Sequence, residues 1–268
     1  MLKKSSLAED IINFKIFSPV IAGKAKAGQF VVIKANESGE RIPLTIADSI
    51  PSEGIIDLTV LKRGKTTNML MTMNEGEVIQ DIAGPLGKKS EIENFGNVFI
   101  IGGGVGIAPT YPIIKAMKIA GNYVISVLGA RNRSGLIFEE EISRFSDEFF
   151  VCTDDGSKGY NGFVSGFLSE YLDNNPEKII NRVIAIGPAL MMKAVCDITE
   201  PYKIKTIVSL NPIMVDGTGM CGSCRVEVAG RTEFACVDGP EFDGHFIDFK
   251  LLISRLNIYC EEEKESLT

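Results

Sequence analysis

The sequence predicts a mixed fold in three consecutive parts: a small β-barrel or sandwich over residues 1–95, an α/β domain with a parallel sheet over residues 96–208, and a small C-terminal domain over residues 209–268. Three observations support this division. The first part contains short β-branched stretches separated by turn-forming residues. The second part alternates apolar strands with helical patterns. The third part contains three closely spaced cysteines among glycines.

The composition excludes several classes of function. The chain has 268 residues, of which 45% are hydrophobic, and a formal net charge of −7, which argues against nucleic acid as a partner because phosphate binding needs clustered cations. No apolar run is long enough to span a bilayer, and the N-terminal residues lack the apolar core of a secretion signal, so we expect a cytoplasmic protein without membrane contact. His245 is the single histidine, which excludes a histidine-rich metal site and leaves a turn or surface role for this residue.

The elements of the first part follow from its apolar and turn-forming segments. A short helix is expected within residues 66–76, where the alternating strand pattern is interrupted. Turn-forming segments at residues 36–40 and 51–54 separate the β-branched stretches. The predicted strands of this part are residues 29–35, 55–61 and 75–84.

In the second part, strands and helices alternate, which implies βαβ units and a parallel sheet. This architecture is typical of nucleotide-binding domains. The predicted strands are residues 97–104, 123–131, 149–157, 182–187 and 205–210. The predicted helices are residues 108–121, 136–145, 164–172 and 188–199.

A glycine run at residues 102–106 lies between a predicted strand and a predicted helix. Glycines at such a turn let the backbone approach a pyrophosphate, and the helix N-terminus favours negative charge. Pro109 lies early in the helix, where proline is tolerated. The turns at residues 153–156 and 187–188 follow two other strands of the same sheet, so all three segments are expected at one edge. Each could also be a simple turn, but their coincidence favours a nucleotide.

The cysteine pattern is the strongest chemical signal. Cys221 and Cys224 are two residues apart, Cys236 follows in a predicted hairpin around Gly230, and Asp216 stands where plant-type [2Fe–2S] ferredoxins have their first cysteine. Thiolates are soft ligands that suit iron–sulfur clusters, and a carboxylate can complete a set of four. The alternatives are a metal-free hairpin of buried thiols and a zinc site with three thiolates and a carboxylate.

The remaining C-terminal features are simpler. The other cysteines, Cys152, Cys196 and Cys260, lie on strand or helix patterns and are expected to be core or surface thiols. A terminal helix is predicted over residues 247–256, and the acidic residues 261–266 are expected to be a solvated end.

Together, these motifs resemble the ferredoxin–NADP⁺ reductase superfamily, in which a flavin barrel precedes a nucleotide domain with a GGGVGIAP-type loop and a later GP turn. The C-terminal cysteines narrow the resemblance to the dihydroorotate dehydrogenase electron-transfer subunit group. Within that group, ERIPLTIAD, Asp216 and CVDGPEFDGH are most similar to the small subunits of NADH-dependent reduced ferredoxin:NADP⁺ oxidoreductases, also described as sulfide dehydrogenases. Two departures are Ile42, where arginine is common, and Leu44, where tyrosine is common.

The resemblance implies FAD and a [2Fe–2S] cluster as cofactors and NAD(H) as substrate, and it assigns residues to each. Thr45, the candidate catalytic residue, would lie near the redox-active edge of the flavin. The other flavin-binding candidates are Arg41, Pro43, Leu44, Val60, Leu61, Gly64, Thr66 and Thr67. The nucleotide-binding candidates are Gly102, Gly103, Gly104, Val105, Gly106, Ala108, Pro109, Asp154, Asp155, Gly187 and Pro188. The cluster ligands would be Asp216, Cys221, Cys224 and Cys236.

The same resemblance implies hydride exchange between nicotinamide and flavin, followed by single-electron transfer to the cluster. Electrons would pass to a larger subunit, similar to a glutamate synthase small subunit, that carries its own flavin and [4Fe–4S] clusters and reaches ferredoxin in a bifurcating complex. The alternatives are a dihydroorotate dehydrogenase electron-transfer subunit and a nucleotide-binding or assembly module without turnover. Arg131 and Arg133 could bind the 2′-phosphate that distinguishes NADPH from NADH. The residues alone therefore leave the choice between NADH and NADPH open.

Overall fold

The computed structural model describes residues 1–37, 39–259 and 261–262. These residues form two compact units. One contains Met1–Ser90, Asn211–Pro240 and the chain from Lys250, and the other contains Glu91–Leu210 and Glu241–Phe249. The three domain boundaries taken from the sequence stay a prediction. Among the described residues, no helix combines the length and the apolar character needed to cross a bilayer.

The first unit is built on an antiparallel sheet with the strand order β1-β2-β5-β4-β3-β6. Apolar residues from β2, β3, β4 and β5 share one core with Leu70 of α2, so the sheet curls around a common interior. The strands are β1 Lys3–Ala8, β2 Ile11–Phe17, β3 Phe30–Lys34, β4 Arg41–Ile50, β5 Ile55–Leu61 and β6 Asp81–Leu86, and the helices are α1 Pro19–Ala22 and α2 Lys65–Thr72.

Three features of this unit differ from the sequence-based expectation. β1 and β2 were not predicted, although β2 contributes Phe14 and Ile16 to the barrel core. β4 was not predicted as a strand, and it contains Pro43, which is unusual within a strand. The strand predicted from residue 75 begins only at Asp81, because Gly76 has φ 91° and interrupts an extended conformation.

The second unit is an α/β sheet with the order β10-β9-β8-β7-β11-β12-β15. All neighbouring strands are parallel except β12 and β15. The strands are β7 Asn97–Gly103, β8 Tyr123–Ala130, β9 Glu148–Thr153, β10 Tyr160–Asn161, β11 Arg182–Ile186, β12 Lys205–Ser209 and β15 Glu241–Asp243, and the helices are α3 Ile107–Ile119, α4 Glu139–Ser143, α5 Val164–Asn174 and α6 Ala189–Thr199.

The strand β15 was not predicted, and it adds to the parallel sheet from within the C-terminal segment. The half-buried His245 follows it and lies 3.0 Å from the Thr199 hydroxyl through Nε2, which fits the expected turn role. The cysteine-rich segment itself forms the predicted hairpin, with β13 Arg225–Val228 and β14 Arg231–Phe234, and the chain then forms α7 Phe249–Leu256. Cys260 and residues 263–266 of the acidic end lie outside the described residues.

Candidate functional site

The ligand-binding segment predicted on β4 lies along the edge of the barrel core. Pro43, Leu44 and Thr45 are half-buried, and Thr45 pairs with Phe30 of β3. Arg41 is exposed, and its Nη2 donates to Asp81 Oδ2 of β6 at 2.8 Å. Of the two β5 candidates, Val60 is buried in the core and Leu61 is half-buried. Thr45 and Leu44 are therefore accessible to a ligand, whereas Val60 can act only by shaping the core.

The N-terminus of α2 contains the second predicted segment of this unit. Gly64 has an extended backbone, and a Cβ added there would meet no atom within 4 Å. The Thr67 hydroxyl accepts from the Arg63 and Gly64 amides at 2.9 Å each, while Thr66 is buried. Thr67 therefore holds the turn, and Gly64 leaves open space in front of the helix N-terminus, where anions are stabilised.

Asn68, in the first two turns of α2, was not singled out in the sequence. Its Oδ1 atom is buried and has no hydrogen-bond partner among the described residues. A buried acceptor without a donor costs about 1–3 kcal/mol, so such an atom indicates a missing partner. A donor group of a bound molecule beside Gly64 would satisfy it, and the sequence alone carries no signal for this because an asparagine on a helix is ordinarily solvated.

In the second unit, the glycine run follows β7 and forms a turn of 3-10 helix before α3. Two of its glycines are required by packing against protein backbone. A Cβ at Gly102 would lie 2.8 Å from Ile107 Cα, and a Cβ at Gly106 would lie 2.5 Å from Ile186 O. Gly104 differs, because it has φ 57° and a Cβ there would meet nothing within 4 Å. Gly104 is therefore the glycine of this run that faces open space.

Gly103 and Gly187 pack against a side chain that the sequence pattern did not indicate. A Cβ at Gly103 would lie 2.3 Å from Met191 Sδ, and a Cβ at Gly187 would lie 2.7 Å from Met191 Cε. The half-buried thioether of Met191, in α6, thus covers both glycines. Ala108, next to the run, is buried, and Pro109 occupies the first turn of α3.

The predicted nucleotide-binding turns meet at the carboxyl edge of the parallel sheet. Gly102 pairs with Ile186, the last residue of β11, and Ala130 pairs with Thr153, the last residue of β9. Asp154 and Asp155 directly follow Thr153, and their amides donate to the carbonyls of Ala130 and Arg131. Ser157 lowers the pKa of Asp155 by hydrogen bonding, so this exposed carboxylate is charged. The structure brings the three segments to one edge, as parallel-sheet nucleotide sites require.

Cys221 and Cys224 lie in the loop before β13, and Cys236, which follows β14, lies beside this loop. Cys224 and Cys236 are buried, and their sulfur atoms are 3.1 Å apart. Cys221 is exposed, and hydrogen bonds from Ser223 lower its pKa. Burial raises the pKa of Cys236 to about 12. The glycines Gly217, Gly219 and Gly222 have φ values of 81°, 87° and 70°, which glycine adopts without strain and which turn this loop tightly.

Asp216 and the three cysteines do not converge on one point. Among the described residues, no three metal-binding side chains form a group that could hold a metal ion. The Oδ2 atom of Asp216 accepts from the amide and hydroxyl of Thr218 and from the Met220 amide at 3.3 Å. The hydrogen bonds from Thr218 lower the pKa of Asp216. One carboxylate oxygen of Asp216 is therefore used within the loop, and the other accepts no hydrogen bond among the described residues.

The cysteine loop lies against the barrel of its own unit. A Cβ at Gly217 would lie 2.8 Å from Leu86 Cδ1 and 2.9 Å from Val32 Cγ2, so the loop backbone touches β6 and β3. The Lys88 amide also donates to the Gly239 carbonyl at 2.6 Å. The other two described cysteines, Cys152 and Cys196, are buried thiols whose pKa is raised to about 12 by burial, as expected for core residues.

Two family models match the chain. The iron-sulfur cluster binding domain of dihydroorotate dehydrogenase B matches residues 211–248, and an oxidoreductase NAD-binding domain matches residues 100–197. The first match spans the cysteine loop and hairpin, and the second spans the glycine run and the strand ends around it. The segments predicted to bind a cluster and a nucleotide thus lie within the ranges that the corresponding family models match.

Two relatives are similar over most of the chain. The chain is 50% identical over 99% of its length to a dihydroorotate dehydrogenase B electron transfer subunit homolog of Thermotoga maritima, of which 93% is covered. It is 33% identical over 71% of its length to a probable subunit of this kind from Methanocaldococcus jannaschii, of which 71% is covered.

Solved structures share the fold. A structure of an NADH-dependent reduced ferredoxin–NADP oxidoreductase, studied for flavin-based electron bifurcation, matches with a TM-score of 0.93 and 49% identity, covering 99% of this chain and 95% of that one. Phthalate dioxygenase reductase matches with a TM-score of 0.61 and 16% identity, covering 84% of each chain. The predicted class, a barrel with an α/β nucleotide domain and a C-terminal cluster segment, is confirmed.

Proposed function

The chain belongs to the family of dihydroorotate dehydrogenase B electron-transfer subunits, and on this premise we propose that it is the electron-transfer subunit of an NADH-dependent reduced ferredoxin:NADP⁺ oxidoreductase. It is an oxidoreductase subunit whose cofactors are FAD and an iron–sulfur cluster and whose substrate is NAD(H). FAD supplies the exchange of a hydride with nicotinamide and of single electrons with the cluster. The protein itself binds, orients and shields these groups.

One observation carries the proposal: the cysteine loop packs on the barrel that contains the flavin-binding segments. Gly217 touches Val32 and Leu86, and these residues belong to the same unit as Thr45 and Gly64. A cluster held by this loop would thus share one folded unit with the flavin. Since electron transfer needs fixed, close cofactors, this arrangement favours an electron-transfer subunit over a nucleotide-binding module without turnover.

For the flavin, we propose that the open space at Gly64 and the N-terminus of α2 accept the pyrophosphate, with Thr66 and Thr67 shaping the turn. Pro43, Leu44 and Thr45 line the ring, and the Thr45 hydroxyl can hydrogen-bond its edge. Leu61 borders the same site, and the buried Val60 supports it from the core. The orphaned Asn68 Oδ1 supports this placement, because the ribityl and ribose hydroxyls of FAD are donors.

For the nucleotide, we propose that the pyrophosphate of NADH approaches Gly104 and the α3 N-terminus, where no protein atom would contact an added Cβ. Asp154, Asp155 and Pro188 border the same edge of the sheet. The charged carboxylate of Asp155 disfavours a 2′-phosphate nearby, which supports NADH over NADPH. Gly102, Gly103, Gly106 and Gly187 serve the packing of the loop, together with Val105, Ala108 and Pro109.

For the cluster, we propose Asp216, Cys221, Cys224 and Cys236 as ligands of a [2Fe–2S] group. The donor set fits, because three thiolates suit iron and the two nearest sulfur atoms are already 3.1 Å apart. The lowered pKa of Cys221 favours the thiolate that binds metal. Asp216 keeps one oxygen in the loop through Thr218, so its other oxygen is the one that would reach iron.

An electron-transfer subunit of this family works with a larger partner subunit. We propose that this partner resembles a glutamate synthase small subunit, carries its own flavin and [4Fe–4S] clusters, and connects the chain to ferredoxin in electron bifurcation. A second candidate, pairing with dihydroorotate dehydrogenase, is favoured by the names of several relatives. Purification of the native complex separates the two, since the partner of the second candidate would oxidise dihydroorotate.

The function is tested by anaerobic visible and EPR spectra of the chain before and after addition of NADH. We expect flavin bands, bleaching of these bands by NADH, and a [2Fe–2S] signal that appears on reduction. A colourless protein after anaerobic reconstitution would contradict the proposal, and bound zinc in place of iron would support a structural metal site. Flavin that is bound but never bleached by NADH or NADPH would indicate a module without turnover.

Replacing Asn68 by leucine should weaken FAD binding while stabilising the chain without FAD. The substitution removes a buried acceptor that has no donor, so the FAD-free protein should gain about 1 kcal/mol in free energy of unfolding. The bound cofactor loses one hydrogen bond, which corresponds to roughly two- to tenfold weaker binding. Thermal melting of the FAD-free chain and fluorescence titration with FAD measure the two effects. A variant that is destabilised and binds FAD normally would assign Asn68 a purely structural role.

A further inference from the structure

Arg255, in the last turn of α7, contacts the cysteine loop although it is 32 positions away from it in the sequence. Its Nη2 donates to the carbonyl of Ser223, the residue between Gly222 and Cys224, at 3.0 Å. Both residues belong to the first unit. The guanidinium of Arg255 is thereby anchored beside the backbone that joins two of the proposed cluster ligands.

A second observation concerns the Nε atom of the same side chain. Arg255 Nε is buried and has no hydrogen-bond partner among the described residues. No carboxylate forms an ion pair with Arg255 in the part of the chain that the structure describes, although such pairs form elsewhere, for example between Arg182 and Glu91. Burying the Nε–H donor of a guanidinium without an acceptor is costly, because that group has lost its hydration and gained no hydrogen bond.

An iron–sulfur cluster supplies what this side chain lacks. Three thiolates and one carboxylate give the assembled group a net negative charge, and its sulfur atoms accept hydrogen bonds. A nearby cation and a buried N–H donor stabilise the reduced cluster more than the oxidised one, since reduction adds negative charge. This role of Arg255 rests on the function proposed above, because it requires a cluster at Cys221, Cys224 and Cys236.

We propose that Arg255 is the counter-cation of the cluster, that the buried Nε–H of its guanidinium donates a hydrogen bond to the cluster or to one of its thiolates, and that it raises the cluster's reduction potential. α7 is then part of the electron-transfer site and not only a C-terminal support. Arg255 acts on the electron-accepting group through charge and a hydrogen bond, and it is a positioning residue that ligates no iron.

The test compares two arginines that both contact this loop. Arg225 Nη1 donates to the Gly222 carbonyl at 3.0 Å, but the Arg225 side chain is exposed. Neither this contact nor its exposure predicts a role toward the cluster. We expect Arg255→Met to shift the midpoint potential of the cluster to more negative values. Arg225→Met should shift it much less, because water screens an exposed charge. EPR-monitored redox titration of the holoprotein measures the potential.

Arg255→Lys keeps the charge and loses the forked donor, so its potential should lie between those of the native protein and Arg255→Met. Equal shifts for Arg255→Met and Arg225→Met, or none for either Arg255 variant, would overturn the proposal. If Arg255→Met does not retain iron, the midpoint potential of Arg255→Lys decides instead. A lysine variant with the native midpoint potential overturns the proposal. A native protein without a [2Fe–2S] signal would instead remove the proposed function.

Discussion

Replacing Cys224 by alanine will remove the iron–sulfur cluster and leave the flavin in place. Cys224 is buried, and its sulfur lies 3.1 Å from that of Cys236, so its loss leaves iron with an open position in a site that solvent does not reach easily. We expect iron content and the [2Fe–2S] EPR signal to fall more than about tenfold, since even second-shell changes at metal sites cost 10–100-fold in affinity. Flavin absorbance should be unchanged, because the segments proposed to bind flavin lie on the barrel strands and α2.

Cys196→Ala is the matched control for this experiment. Cys196 is also a buried thiol, but it lies in α6 of the second unit. Its variant should keep full iron content and show only a modest loss of thermal stability, since one small buried group is removed. Full iron in the Cys224 variant, or equal loss of iron in both variants, would show that Cys224 does not bind the cluster.

The second large effect is expected at Gly106, where alanine should destabilise the nucleotide-binding unit. The new Cβ would lie 2.5 Å from Ile186 O and 2.8 Å from Gly187 Cα, and both are backbone atoms of the neighbouring strand end. Backbone cannot move aside as a flexible side chain can, so we expect a loss of about 1–3 kcal/mol in free energy of unfolding. Thermal and urea denaturation of the holoprotein measure this loss.

Gly104→Ala is the informative partner of that variant. No atom lies within 4 Å of the added Cβ, but the backbone has φ 57°, so the strain should cost only about 1–2 kcal/mol. The methyl group projects into the space that we assign to the nucleotide, and NADH should bind at least several-fold more weakly at saturating FAD. Gly104→Ala with native NADH affinity would place the nucleotide elsewhere on the sheet edge.

Much of the site could be predicted from the sequence because its chemistry is local. Cys221 and Cys224 are separated by two residues, with glycines around them, and the glycine run directly follows β7. Each motif is formed by residues close together in the chain, so residue type and spacing define it. The alternation of strands and helices likewise placed Asp154 and Gly187 at the carboxyl edge of one sheet, because parallel strands end on the same side.

The sequence could not separate glycines with different roles in the same run. Gly102, Gly104 and Gly106 are equivalent in a motif, yet one faces open space and two face backbone at van der Waals limits. Met191 covers Gly103 and Gly187 from a helix that follows another strand, and a methionine at helical spacing reads as ordinary core. The difference lies in which atoms of other elements approach each glycine.

By itself, the sequence determined the order of the β and α/β parts, the cluster-type cysteine spacing and the phosphate-type glycine turn, since these depend on residues adjacent in the chain. Only the tertiary structure decided that the cysteine loop lies on the barrel, that Asn68 has a buried acceptor without a donor, and that Arg255 reaches Ser223 across 32 positions. Burial and hydrogen-bond satisfaction are properties of packed surroundings. They therefore become visible only once elements distant in sequence are brought into contact.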